Sequence, residues 1–548
     1  MIIGIDVGGT HADGVLLLKN TIAAKKKVWV DHDNLGDSII TLLESLLPPD
    51  REALKRIHLS TTLCTNALIN EKLDEVGMFV QAGPGMNPDF LKCGDHLHFF
   101  SGAVDHRGQI LRGPGVAEIQ AAASELQRNN ISSIGIVTKF SHRNNEHELW
   151  VRDQLQDNFT HISMGHRISG MPNFPRRVYT TWVNSALKSQ FYQFKEAMEE
   201  GFSKLGLTCP CYILKADGGT IPFDVGCEFP CQSIHSGPSA SIMGALALVD
   251  NIGDAILLDI GGTTTDIGIF ADGVPLLEPY GATVGGRPTL IRAQLTKSIG
   301  LGGDSSVIRQ GNGFQIGPER RGPPMAFGGI SPTPTDAMVV LGRIEAGSQT
   351  EARAAMERLC PEKPAEETAV ELLHCFVRTV HRAVMDMIEE IFSRPVYTVS
   401  AFLEREKITP ERLISIGGPA LALQSFLQDT FGMECVVPPD YEVANAIGAA
   451  RARLTVQASL YCDTSLGRLS IPEISCMESI GKRFNMEDAE LLVIEAVRKM
   501  ALEMGAETIP EIDFIERLEM NTVKGFATTG KIISLKAQIR PGLVKVEE

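Results

Sequence analysis

Two short segments in opposite halves of the chain carry residue types that grip phosphate. Asp6-Val7-Gly8-Gly9-Thr10-His11-Ala12-Asp13 returns as Asp259-Ile260-Gly261-Gly262-Thr263-Thr264-Thr265-Asp266, with the first Asp, both Gly, the Thr and the last Asp unchanged. Each copy follows an apolar run and leads into another, so each reads as strand, tight turn, strand: a β-hairpin. A glycine turn offers backbone N–H groups that no side chain screens. Thr10, Thr263, Thr264 and Thr265 add hydroxyl donors. Asp6 and Asp259 stand where strand meets turn, and a pair of carboxylates there suits Mg²⁺, which takes oxygen ligands and keeps several waters. The blander use of such Asp residues is to pin the turns by hydrogen bonds to backbone. Two copies in matched settings favour a nucleoside triphosphate clamped between two lobes.

Two further turns fit beside such a ligand. Gly417-Gly418-Pro419 follows an apolar run and precedes a helical stretch, so a flat ring such as adenine can approach its backbone closely. Gly302-Gly303-Asp304 offers a similar loop, suited to ribose or phosphate. Other candidates carry less. His96 and His98 would share one face of a strand, as a metal pair or as surface histidines. Arg176 and Arg177 would either face the cleft and bind an anion or lie on a helix surface, while Tyr179 and Trp182 read as core. Lys25-Lys26-Lys27 reads as a solvated strand edge.

The elements that must position these motifs alternate between strand and helix, which makes the fold α/β. Helices are expected over residues 36–47, 115–128, 145–156, 175–205, 240–249, 368–392, 444–456 and 486–504, and strands near 28–30, 57–60, 76–81, 134–137, 162–163, 211–214, 413–416, 512–520 and 532–539. The Gly- and Pro-rich residues 311–335 read as an ordered loop or hinge. A chain of 548 residues exceeds one core. It divides into residues 1–250 with a βαβ insertion at about 80–170, residues 251–458, and an α+β region at 459–548. A net charge of −16 argues against a nucleic-acid surface. No apolar stretch reaches the length of a membrane span, and a start on a strand without a leader reads as cytoplasmic. Eleven scattered cysteines fit free thiols in a reducing compartment, and Cys209, Cys211, Cys227 and Cys231 lack the spacing of a zinc site.

The ordered set of motifs resembles the ATPase superfamily of actin, sugar kinases and heat-shock chaperones. The resemblance implies two ribonuclease-H-like lobes, ATP between two phosphate hairpins (residues 4–17 and 257–270), an adenosine motif at 414–420 and connecting helices at 240–249 and 444–456. Thr61-Thr62-Leu63-Cys64-Thr65-Asn66-Ala67-Leu68, Ser236-Gly237-Pro238, Ser298-Ile299-Gly300-Leu301-Gly302-Gly303-Asp304 and Pro334-Thr335-Asp336-Ala337-Met338-Val339-Val340-Leu341-Gly342 are similar to motifs of the hydantoinase/oxoprolinase family, A-subunit type. That likeness runs from Met1 to about residue 455. It implies an ATP- and Mg²⁺-using hydrolase that opens a cyclic amide (a hydantoin, 5-oxoproline or a related lactam) by phosphorylating the amide oxygen. Asp6, Asp13, Asp259 and Asp266 would be its catalytic carboxylates, with Asp13 or Asp266 positioning a nucleophile. A B-type hydantoinase subunit or a second copy of the chain would be partners. A small-molecule kinase of the same fold, or a regulatory ATP-binding subunit of a carboxylase or hydrolase complex, are the other readings. Two departures stand out: His11-Ala12 replaces the family's aromatic-Thr, removing a hydroxyl from the first turn, and Gly322-Pro323-Pro324-Met325-Ala326-Phe327 replaces Pro-Gly-Pro-Ala-Cys-Tyr.

Overall fold

A computed structural model describes residues 1–9, 11–19, 21–31, 34–311, 313–393 and 408–544. Two mixed sheets repeat one plan. In the first, Ile2–Val7 pairs antiparallel with His11–Leu18, which pairs with Thr21–Trp29; on its other side Ile2–Val7 runs parallel to Arg56–Thr61 and then Cys211–Leu214. In the second, Ala255–Ile260 pairs antiparallel with Thr265–Ala271 and parallel with Arg412–Ile416, followed by Glu434–Val436. These are the two ribonuclease-H-like lobes. Their central strands are near-continuous apolar runs because helices cover both faces: Ile3, Ile5, Leu257 and Leu258 are all buried.

Between Arg56–Thr61 and Cys211–Leu214 of the first lobe the chain inserts a parallel sheet in the order His161–Met164, Ser133–Thr138, Val76–Gln81, His96–Phe99. The long helix Phe174–Leu205 starts with Asn173 capping Arg176 N–H and ends at Gly206 in the left-handed conformation. A five-stranded antiparallel sheet near the C-terminus, built on Gln457–Asp463 and the hairpin Ile512–Lys524/Ala527–Ile539, packs on helix Met486–Glu503 around its own core. Among the described residues no helix is long and apolar enough to cross a membrane.

The expected elements form, some with shifted bounds: the strand expected near 28–30 is Thr21–Trp29. The helix expected over 444–456 is Ala444–Arg451. Ala452 turns extended because Arg453 N–H bonds to Gly542 O and Leu454 bridges Thr220, so tertiary pairing overrides a good helical sequence. The stretch from 311 is no plain loop: Gly313–Ile316 pairs with Val307–Gln310 as a hairpin, and Pro334–Val340 is already helical. Helix Ala420–Phe431, beyond the Gly417 turn, has its own buried face.

Helices Ser236–Leu248 and Ala444–Arg451 connect the lobes and touch backbone to backbone. A Cβ on Gly448 would lie 2.3 Å from Gly244 N and 2.4 Å from Ala240 O, and one on Gly4 would lie 2.2 Å from Ala446 O. No side chain fits there. Gly448→Ala is therefore expected to cost about 1–3 kcal/mol by overpacking, read as a lowered melting temperature by circular dichroism; an unchanged melt would refute the close contact.

Candidate active site

The two hairpins close alike. Gly8 N–H bonds to His11 O at 3.0 Å and Gly261 N–H to Thr264 O at 2.9 Å. Asp6 sits directly opposite Asp13 in its ladder, and Asp259 opposite Asp266. The connecting helices bring the hairpins together. Ser241 Oγ donates to Asp259 Oδ2 at 2.6 Å from one helix, and Asn445 Nδ2 donates to the same oxygen at 2.9 Å from the other.

The four carboxylates repel one another. Burial, with like charge from Asp13 and Asp259, pushes the Asp6 carboxyl up to about 7 against the opposing pull of Ser60 and Asn445. Burial and Asp259 push Asp266 up to about 7 as well, opposed by Ser298. Burial raises Asp13, with Lys27 at 3.1 Å holding it down. Asp6 Oδ1 and Asp266 Oδ1 are buried without a hydrogen-bond partner. Among the described residues no three acidic, His or Cys side chains converge as a ready-made metal cluster. Orphaned carboxylate oxygens on Asp6 and Asp266 instead fit a hard divalent cation of the Mg²⁺ kind, which takes oxygen ligands.

The second hairpin is backed by the loop that follows Gly300. Gly303 N–H bonds to Gly261 O at 2.9 Å and Asp304 N–H to Gly262 O at 2.7 Å. Asp304 is held by Arg320 at 2.9 Å and by Thr335 Oγ1 at 3.0 Å. Arg320 also reaches Thr263 Oγ1 at 3.4 Å, and its charge helps lower His11 on the opposite hairpin after burial and Lys27. Asp336 works away from the cleft. Its carboxylate caps helix Pro334–Val340 through Thr333 and accepts N–H bonds from Met325 and Ala326, so it shapes the loop. The turn Gly417-Gly418-Pro419 abuts this group: Gly417 has φ +87, and a Cβ on it would lie 2.6 Å from Asp259 Oδ1.

Thr263 and Thr264 are exposed at the turn, whereas Thr265 is buried and donates to Leu301 O at 2.6 Å. Its hydroxyl anchors the Gly300 loop. Ala12 holds the matching ladder position in the first hairpin and is likewise buried, so the hydroxyl missing there removes no exposed donor. Thr10 lies outside the described residues. Arg177 is no cleft residue: it is fully buried and donates to Met171 O. His96 and His98 lie on an edge strand, with Glu75 3.9 Å from His96.

The Hydantoinase/oxoprolinase N-terminal region profile matches residues 2–159, and the Hydantoinase/oxoprolinase profile matches residues 177–458. The chain belongs to the hydantoinase/oxoprolinase family. It is 25% identical over 385 residues to caprolactamase subunit alpha of Pseudomonas jessenii, covering 63% of this chain and 55% of that one. It is 23% identical over 439 residues to 5-oxoprolinase of Saccharomyces cerevisiae, covering 73% and 33%. The chain thus spans between a third and little more than half of these relatives. The crystal structure of the ATP-dependent caprolactamase from Pseudomonas jessenii shares the fold, with a TM-score of 0.71 at 17% identity over 100% of this chain and 89% of that one.

Within this family member, Ser241, Asn445 and Arg320 escaped motif reading because each reaches the cleft from a remote segment.

Asp6 carries a folded pKa above its unfolded value, so its contribution to stability is complete below 3.8 and is lost as pH rises through about 7. Asp6→Asn, free of that charge, is expected to melt about 2–4 °C above wild type at pH 8 in magnesium-free buffer. The gap should narrow as pH falls below about 7 and close only toward 3.8, where the carboxyl is protonated in both folded and unfolded chains. Calorimetry showing a lower melt at both ends of that range would overturn the repulsion account.

Proposed function

We propose that the chain is the ATP-using part of an enzyme that opens a cyclic amide by phosphorylating the amide oxygen. The observation that carries this is the convergence of both hairpins, the Gly302-Gly303-Asp304 loop and the Gly417-Gly418-Pro419 turn around one set of aspartates. Family membership supports the substrate class, since relatives named caprolactamase and 5-oxoprolinase act on lactams.

In this reading Gly8, Gly9, Gly261 and Gly262 present backbone N–H groups to the phosphates, Thr263 and Thr264 add hydroxyls, and Thr10 does so from the first turn. Gly302, Gly303 and Asp304 lie at the ribose, and Gly417, Gly418 and Pro419 at the adenine. Asp6 and Asp259 hold Mg²⁺, which when bound neutralises charge on the transferred phosphoryl group. Asp13 or Asp266, with carboxyls raised toward neutrality, positions the attacking group and takes up its proton. A lactam resists hydrolysis because its amide is resonance-stabilised and the ring re-closes; a phosphorylated amide oxygen supplies a good leaving group and ties opening to ATP cleavage.

A partner subunit fits the same picture. The relative from Pseudomonas jessenii is named as a subunit. The hairpin Ile512–Lys524/Ala527–Ile539 exposes Ile515, Leu518, Met520 and Val523 along its edge strand and Phe526 at its turn, a surface suited to a B-type subunit or a second copy.

Purified protein given ATP, Mg²⁺ and a panel of lactams and hydantoins, alone and with a co-purified partner, is expected to release phosphate in a substrate-stimulated way and to yield a ring-opened acid by mass spectrometry. A phosphoester product would favour the kinase reading. Asp259→Ala is expected to lower turnover at least about 100-fold with the fold intact; turnover at the wild-type rate would refute the assignment of Asp259.

A further inference from the structure

Away from the hairpins, three side chains from distant stretches of sequence stand in a line. Glu148 lies in helix Glu146–Leu155 and His166 in the short helix Gly165–Ile168, both part of the inserted layer; Ser475 follows the 3-10 turn Pro472–Ile474 in the C-terminal region. Glu148 Oε2 is 2.5 Å from His166 Nδ1, and His166 Nε2 is 2.9 Å from Ser475 Oγ. Glu148 and His166 are completely buried.

The hydrogen bonds fix the protons. Glu148 accepts the N–H of Thr138 at Oε1 and the N–H of His166 at Oε2. Burial alone would raise its carboxyl, but His166 and these donors outweigh burial and hold it below its ordinary value. A carboxylate only accepts, so Nδ1 carries a proton, and in the neutral imidazole Nε2 is then the atom that accepts from the Ser475 hydroxyl. That is the tautomer a general base requires. Ser475 closes the 3-10 turn Pro472–Ile474 with φ +54, its N–H bonded to Pro472 O, and this fixes the backbone that carries its hydroxyl.

The serine also has somewhere to act. It is half-exposed and opens on a cavity of about 1050 Å³ whose walls include Met164, Arg167, Ile474, Met500 and Lys536. The volume suits a small organic ligand. Neither the cavity nor the triad is required by phosphate binding.

We propose that Glu148, His166 and Ser475 form a second hydrolytic centre, independent of nucleotide, for small carboxylic esters and activated amides. Ser475 Oγ bonds to the carbonyl carbon while its proton passes to His166 Nε2. The ester C–O or amide C–N bond breaks, and the departing alcohol or amine takes that proton. Water then attacks the acyl-serine, giving a proton to Nε2; as the acid leaves, Ser475 recovers it. Ser475 and His166 are the catalytic residues. Glu148 is a positioning residue that fixes the tautomer and faces the imidazolium charge.

The test uses the full chain in EDTA without nucleotide, so its outcome is separate from that of the ATP reading. With p-nitrophenyl acetate, nitrophenolate release is expected above the buffer rate, at least about 100-fold lower in Ser475→Ala. Glu148→Gln is expected to lower kcat with KM unchanged. A fluorophosphonate probe should label Ser475 of the wild-type chain, mapped by peptide mass spectrometry, a result that no misfolded variant can mask. An unlabelled Ser475 in the wild type, or equal rates with and without its hydroxyl, overturns the proposal.

Discussion

The backbone contact between the two connecting helices is the constraint on which the cleft depends. Gly244 and Gly448 let Ser236–Leu248 and Ala444–Arg451 approach until only hydrogen fits between them, and Gly4 lets the first strand join the same contact. At that spacing Ser241 and Asn445 meet one carboxylate oxygen of Asp259. A wider crossing would separate those donors and with them the two hairpins. Helix packing, rather than any bond between the turns themselves, sets how the lobes present their glycine turns to one another.

The same contact creates an electrostatic problem. Asp6, Asp13, Asp259 and Asp266 are gathered with Lys27 as the cation beside them and Ser60, Ser241, Ser298 and Asn445 as neutral donors. A cleft assembled this way is poised to gain from a cation. The halves are nonetheless unequal: only the second hairpin is roofed by the Gly300–Asp304 loop, braced by Thr265, Thr335 and Arg320. On the first hairpin His11 lies beside Trp29, the rings tilted by 36° with centres 4.0 Å apart.

One helix links the cleft to the larger cavity. Ser241 holds Asp259, and less than one turn earlier Ser239 Oγ donates to Ala216 O. The neighbours of Ala216, Lys215 and Asp217, lie on the wall of the cavity onto which Ser475 opens.

Periodicity and glycine punctuation made the strands and helices of both lobes legible, because apolar runs and tight turns are local features. The fold and the candidate nucleotide residues followed from a motif present twice. Local reading failed where tertiary pairing competes with propensity, as at Ala452, and where a hydroxyl's use depends on which face is covered, as at Thr265. What the sequence by itself determined was the pair of hairpins, the α/β plan and the family. Only the tertiary structure decided which hydroxyls face the cleft, that Ser241, Asn445 and Arg320 complete it, and that Glu148, His166 and Ser475 meet. The reason is physical: a turn or a strand is set by neighbours in the chain, whereas a carboxylate's partners and charge state are set by whatever the packed helices bring within a few ångströms of it.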